Sequence, residues 1–272
     1  MKFDPALPEE GINVTPSHPL RELAVLLGGV IGVSVAVVIV LTVTIDSLVP
    51  LVPARLETRW LSGWMGGMQE LEADPRAAPV QELVERLARH WPENPYEFRI
   101  GVIDDDQPNA FAVPGGWIGV TTGLLAQLES ENELALVLGH EIGHFRHRDH
   151  LRGIGRGVAF ALVMGALGLG GSGGAAELAA LSGQLAARGF DRDQESDADR
   201  FGLMLVQRKY GHVAEAWEFF ERLPDPDGSV EKEIVHYLAT HPLNEERIEA
   251  LHALAVEREW SQVGTVVPLG PE

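Results

Sequence analysis

Apolar positions along this chain follow several different spacings. From Leu23 to Ile45 they are nearly continuous, rich in Val, Leu and Ile, with no charge among them. At about 1.5 Å per residue such a helix is roughly 34 Å long, enough to cross a bilayer with some tilt. Val80, Leu83, Val84 and Leu87 then recur at helical spacing and predict an amphipathic helix over 79–90. Phe98 to Ile103 reads as a strand. Phe111 to Val113 and Trp117 to Val120 read as two more, joined at Pro114-Gly115-Gly116. Leu134, Val137, Leu138 and Ile142 return to helical spacing, behind a capping box formed by Ser130 and Glu133. Ile248, Leu251 and Leu254 mark a last amphipathic helix, with Pro242 suited to its first position. Three short strands among many helices predict an α+β fold, mainly helical.

These signals divide the chain into a tail over 1–22, a transmembrane helix over 23–45, a juxtamembrane linker over 46–75, a folded domain over 76–260 and a tail over 261–272. The linker holds Pro50, Pro53, Gly63, Gly66 and Gly67, with Trp60 and Trp64 near the membrane, and is expected to carry one short helix. Inside the domain lies a helical insert over 153–189. Its stretch from Gly157 to Ala176 is uncharged, but Gly170-Gly171-Ser172-Gly173-Gly174 weakens any helix there. A helical hairpin over the site or on the membrane is expected, with a second span as the alternative. The first span reads as an uncleaved anchor, because its apolar core is longer than a signal peptide's and its start is not basic. Lys2 and Arg21 before it balance Arg55 and Arg59 after it, so the positive-inside rule gives a tie. The expected topology is N-in, with the domain on the extracytoplasmic, periplasmic side. Gly28 and Gly32 form a GxxxG pair, which leaves an oligomer open.

The chemistry sits on the helix behind Ser130. His140-Glu141-Ile142-Gly143-His144 spells HExxH. Positions i and i+4 share one helix face, so both imidazoles can reach one zinc ion at about 2.0–2.1 Å. Glu141, beside the first ligand, can reach a water activated by that ion and serve as its base. Chance alone produces this pattern in roughly one chain in a hundred of this length. Its place on a capped helix therefore matters. The reading is a zinc hydrolase, foremost a peptidase.

An open zinc site needs a third protein ligand. His150 follows His144 at metzincin spacing, but that pattern needs glycine where His147 stands. Glu195 and Asp199 offer the other choice, again i and i+4 on an acidic run from Asp191 that reads as a helix. One would bind zinc and the other would accept the free N–H of a ligating histidine. His147 and His150 read as cations near a helix C-terminus, favoured by its dipole.

At this point the chain resembles the HtpX and CaaX-prenyl-protease family of zinc metallopeptidases. Arg192, Glu195, Ala198 and Asp199 fit its R-x-x-E-x-x-A-D motif, and Asn109-Ala110-Phe111-Ala112-Val113-Pro114-Gly115-Gly116 resembles its hairpin. Thr240-His241-Pro242 with Arg247-Ile248 resembles its C-terminal element. The resemblance covers about residues 100–250 and implies a zincin-like domain binding one Zn2+ through His140, His144 and Glu195. It implies Glu141 as base, Asp199 as orienter of a histidine, and His241 as stabiliser of the oxyanion. Asn109, Ala110, Phe111, Ala112 and Arg247 become candidates for holding an extended substrate peptide, the strand edge by β-augmentation. For Arg247 a surface salt bridge is the alternative. The expected function is cleavage of unfolded or misassembled envelope proteins. A tethered chaperone or adaptor with the same fold is the second reading; Glu141 argues against it. A prenyl-protein protease is the third; one clear span argues against it.

Composition narrows partners further. The net charge of −19 excludes nucleic acid as an expected partner, leaving protein or peptide and the bilayer. With no cysteine, disulfides and thiolate metal sites are excluded.

Overall fold

A computed structural model describes residues 18–61, 74–168, 192–223, 241 and 245–269. Helix α1, Pro19–Leu48, contains the apolar span and continues into a 3-10 turn, Val49–Leu51. This stretch is the one described helix long and apolar enough to cross a membrane, and none of its apolar window is buried by protein. At 30 residues α1 is about 45 Å long, more than the ~30 Å hydrocarbon core requires. Gly28 and Gly32 meet no neighbour within 4 Å. The expected short juxtamembrane helix is α2, Ala54–Leu61. The side chain of Trp60, all of Trp64 and the rest of the linker to 73 lie outside the described residues.

Helix α3, Ala77–Ala88, buries Val80, Leu83, Val84 and Leu87, the positions that predicted it. Strand β1, Arg99–Ile103, is parallel to β3, Trp117–Thr121, and β3 is antiparallel to β2, Ala110–Val113. The sheet order β1-β3-β2 leaves β2 at an edge, packed beside the metal-motif helix. A short α4, Thr122–Gln127, leads to that helix, α5, Glu131–His147. Ser130 Oγ accepts from Glu133 N at 3.2 Å. The reciprocal carboxylate bond goes one residue earlier than a capping box requires, to Glu129 N at 2.8 Å.

Helix α5 ends sooner than its histidines suggest. Arg148 takes the left-handed conformation at φ 58°, a turn usually given to glycine, and caps the helix. His150 therefore lies on the next helix, α6, Asp149–Ala166, and not on the last turn of α5. Helix α6 opens the insert and runs antiparallel along the end of α1. Gly155 meets Ile45, and Arg156 pairs with Asp46 at 2.9 Å. Arg148 donates to the carbonyl of Val52. The glycine-rich remainder of the insert lies outside the described residues.

Helix α7, Arg192–Tyr210, carries the acidic run across α5. A short α8, Glu218–Arg222, and α9, Glu245–Glu257, complete the domain. The α5–α7 crossing is set by small residues. A Cβ on Gly202 would lie 2.8 Å from His140 N, and one on Gly143 would lie 2.7 Å from Ala198 Cα. Only without side chains there do the backbones approach closely enough to face the histidines with the acids. Gly202→Val is expected to cost about 1–3 kcal/mol by overpacking and to weaken metal binding as the helices part. Thermal melting and metal titration on one preparation check this. A lowered melting point with unchanged metal affinity would show that the crossing distance does not set the site.

Candidate active site

Four side chains from three places in the chain converge. His140, His144, Glu195 and His241 are buried, and one potential donor atom from each lies within 4.8 Å of the others. The Nε2 atoms of His140 and His144 are 3.0 Å apart. Glu195 Oε1 is 3.3 Å from His144 Nε2, and Oε2 is 3.5 Å from His140 Nε2. Two donors each about 2.0–2.1 Å from a tetrahedral ion stand roughly 3.3–3.4 Å apart, so these separations suit one cation.

The outer nitrogens of the two histidines are held from behind. His140 Nδ1 bonds Asp199 Oδ1 at 2.8 Å, and His144 Nδ1 bonds Asp149 Oδ2 at 3.0 Å. Each bond turns the ring so that Nε2 faces the centre. Asp149 is in turn held by Gln194 Nε2 at 2.8 Å. Neither Asp149 nor Gln194 was singled out from the sequence. The left-handed turn at Arg148 is what folds Asp149 back to His144, and no local spacing announces it.

Arg247 differs from expectation. It is buried, and its Nε and Nη2 bond both oxygens of Asp199 at 2.8 Å. Its Nη1 pairs with Glu195 Oε2 at 2.7 Å. The guanidinium is occupied with the two carboxylates, so it braces the site and is neither a surface salt bridge nor free to grip substrate. His147 and His150 stand outside the converging group; His150 bonds Glu57 at 2.8 Å. Among the hairpin candidates, Asn109 and Ala110 are buried, while Phe111 and Ala112 are half-buried on edge strand β2. Thr240 and Pro242 lie outside the described residues.

The electrostatics suit a cation. Glu141, Asp149, Glu195 and Asp199 are all buried, faced by one buried guanidinium. Burial pushes His140 below the ordinary histidine range, against the pull of Glu195 and Asp199. For His144 burial is outweighed by Asp149, Glu195 and Glu141, which push it up to about 9. A cation would displace the proton these carboxylates favour. Burial works against the Glu195 carboxylate, yet the surrounding histidines hold it well below the usual range. Burial likewise opposes the Asp199 carboxylate, but Arg247 and His140 hold it below its usual range. Both oxygens of Glu141 are fully buried without a hydrogen-bond partner among the described residues. A buried carboxylate in that condition belongs where another molecule donates to it.

His241 Nδ1 also faces this centre, 3.1 Å from His140 Nε2 and 3.2 Å from Glu195 Oε1. Its Nε2 is 3.5 Å from Glu141 Oε1.

The sequence profile described as Peptidase family M48 matches residues 74–255. The chain belongs to peptidase family M48. Its helical fold, small sheet and single apolar N-terminal helix are those of an M48 peptidase domain preceded by a candidate anchor. Mitochondrial metalloendopeptidase OMA1 of Schizosaccharomyces pombe is 31% identical over 193 residues, 69% of this chain and 56% of the relative. Beta-barrel assembly-enhancing protease of Escherichia coli is 29% identical over 179 residues, 62% of this chain and 37% of the relative. A protease HtpX homolog of Acidiphilium cryptum is 56% identical over 57 residues, 20% of each chain. This M48 chain thus spans about half of the yeast relative and about a third of the bacterial assembly protease. The helix α1, α2 and the residues between them precede the matched region.

Proposed function

We propose that this chain is a membrane-anchored zinc endopeptidase. The observation that carries the reading is Glu141: a buried carboxylate with no hydrogen-bond partner among the described residues, beside a cation-sized group of histidines and acid. His140, His144 and Glu195 would hold one zinc per chain through an N/N/O donor set. When bound, zinc acidifies a water and polarises the scissile carbonyl. Glu141 is placed to take a proton from the attacking water and to pass it to the leaving amine. Asp199 and Asp149 keep the histidine rings aimed, and Arg247 holds Asp199 and Glu195 in place. An extended substrate lies along the free edge of β2, main chain to main chain.

His241 stands beside Glu141, where a carbonyl oxygen would gain charge. With three other donors for the metal, its role is to stabilise that oxygen. His241→Phe is expected to retain zinc and lower kcat about 10²–10³-fold. Metal analysis and single-turnover rates on one sample check it; loss of zinc would make His241 a ligand.

The names of the relatives support the cellular part of the reading. One is named a beta-barrel assembly-enhancing protease, and another a mitochondrial metalloendopeptidase. The substrates proposed here are unfolded or misassembled envelope proteins, and the domain is placed on the extracytoplasmic side of a single span. The test is incubation of the full chain in detergent with unfolded casein, with and without a chelator, and mass spectrometry of the products. Cleavage that stops with chelator and returns with zinc is expected. No cleavage in zinc-loaded protein would favour the chaperone or adaptor reading.

A further inference from the structure

The juxtamembrane helix α2 holds a buried carboxylate that the peptidase reading does not use. Glu57 is 1% exposed, although it lies in the segment between the apolar span and the domain. Its Oε1 accepts from Gly115 N at 2.7 Å and His150 Nε2 at 2.8 Å, and its Oε2 accepts from Tyr96 Oη at 3.0 Å. Burial opposes its charge, but His150, the Gly115 amide and Tyr96 hold its pKa below the usual carboxylate range. Two of these partners lead toward the site. Gly115 is in the turn that ends edge strand β2. His150 follows Asp149, whose carboxylate fixes His144. Glu57 itself precedes the matched family region, whereas Tyr96, Gly115 and His150 lie within it.

Two further contacts tie the same segment to the same turn. Arg148, the left-handed residue between His147 and Asp149, donates to the carbonyl of Val52 just past the apolar span. Arg156 on α6 pairs with Asp46 near the end of α1. The chain leaving the membrane is thus fastened around the residue pair Arg148-Asp149, the part of the site that aims His144.

We propose that Glu57 is a positioning residue through which docking of the juxtamembrane helix sets the aim of His144 and the seat of strand β2. With Glu57 in place, His150 and the first turn of α6 are fixed, Asp149 is fixed with them, and His144 presents Nε2 to the metal. With Glu57 lost, His150, Tyr96 and the Gly115 amide are left as buried donors, and the turn relaxes to satisfy them. This rests on the metal-site reading above.

The experiment uses the full chain in lipid nanodiscs and compares wild type, Glu57→Gln, His150→Gln, their double variant and Tyr96→Phe. Zinc affinity is measured by chelator competition, KM and kcat on an extended peptide, and Tm by melting. Glu57→Gln and His150→Gln are each expected to weaken zinc about tenfold, the scale for groups that orient a ligand. The double variant should be no weaker than Glu57→Gln, because both act along one path. Glu57→Gln should also raise KM by loosening the β2 turn, an effect His150→Gln lacks. Tyr96→Phe removes one Glu57 contact that leads to no ligand, so it should lower Tm and leave zinc affinity at the wild-type value. Folded Glu57→Gln with wild-type zinc affinity and KM would overturn the proposal. So would Tyr96→Phe weakening zinc as much as Glu57→Gln does. If Glu57→Gln does not fold, His150→Gln decides alone: wild-type affinity there overturns the proposal. Wild-type protein that binds no zinc would instead defeat the metal-site reading itself.

Discussion

Glu141→Gln is expected to cut single-turnover hydrolysis by about 10²–10⁴-fold while zinc stays at about one per chain. Glutamine keeps the shape of the side chain and removes the basicity needed to accept the proton. No other described carboxylate stands ready to replace it. Asp199 is bonded by His140 and Arg247, Asp149 by His144 and Gln194, and Glu195 faces the two histidines. The same substitution is expected to leave the fold as stable as wild type or more stable. Glu141 is a buried anion with both oxygens lacking hydrogen bonds among the described residues, and neutralising it removes a desolvation cost. Activity and stability then move in opposite directions, which marks a group kept for chemistry. Rates and Tm from one preparation check both parts. A variant that retains wild-type turnover would remove Glu141 as the base.

Much of this site was legible because helices turn spacing into geometry. His140 and His144 face one way because four residues separate them, and Glu195 and Asp199 do so for the same reason. The alternating apolar runs gave the three strands to within a residue or two of their ends. What escaped depends on contacts between distant segments. Arg247 reads in the sequence as a candidate for holding substrate, with a surface salt bridge as the alternative, because its partners lie 48 and 52 positions away on another helix. Asp149 was passed over because its approach to His144 requires a left-handed turn at an arginine, where glycine is the usual signal. That turn also moved His150 to another helix. Glu57 sat in a stretch read as linker from its prolines and glycines, and nothing in a single sequence says that such a carboxylate is buried. The close α5–α7 approach has a visible trace in Gly139, Gly143 and Gly202, but only the crossing of the two helices gives those glycines a meaning.

Glu195→Ala is expected to leave the protein essentially free of zinc after desalting. The donor group loses its one carboxylate, and an open site depends on all three of its protein ligands. Charge acts in the same direction. Removing Glu195 takes one anion from the centre and releases Arg247 Nη1, now 2.7 Å from Glu195 Oε2, from its partner there. The guanidinium then faces the centre without that carboxylate between them and repels the ion that the histidines are left to hold. The outcome separates ligand from support by size. His150→Gln, acting only through Glu57 and Asp149, should weaken zinc about tenfold and leave it measurable. Glu195→Ala should abolish it. Glu195→Gln offers a further check, since it keeps an oxygen donor of nearly the same shape but loses the charge. Its zinc affinity should fall between wild type and the alanine variant. Measurement is by metal analysis after desalting and by chelator competition, with circular dichroism to confirm the fold. If Glu195→Ala keeps its zinc and His150→Ala loses it, the third ligand is His150. The geometry argues against that result, because His150 Nε2 faces Glu57 and lies outside the converging donors.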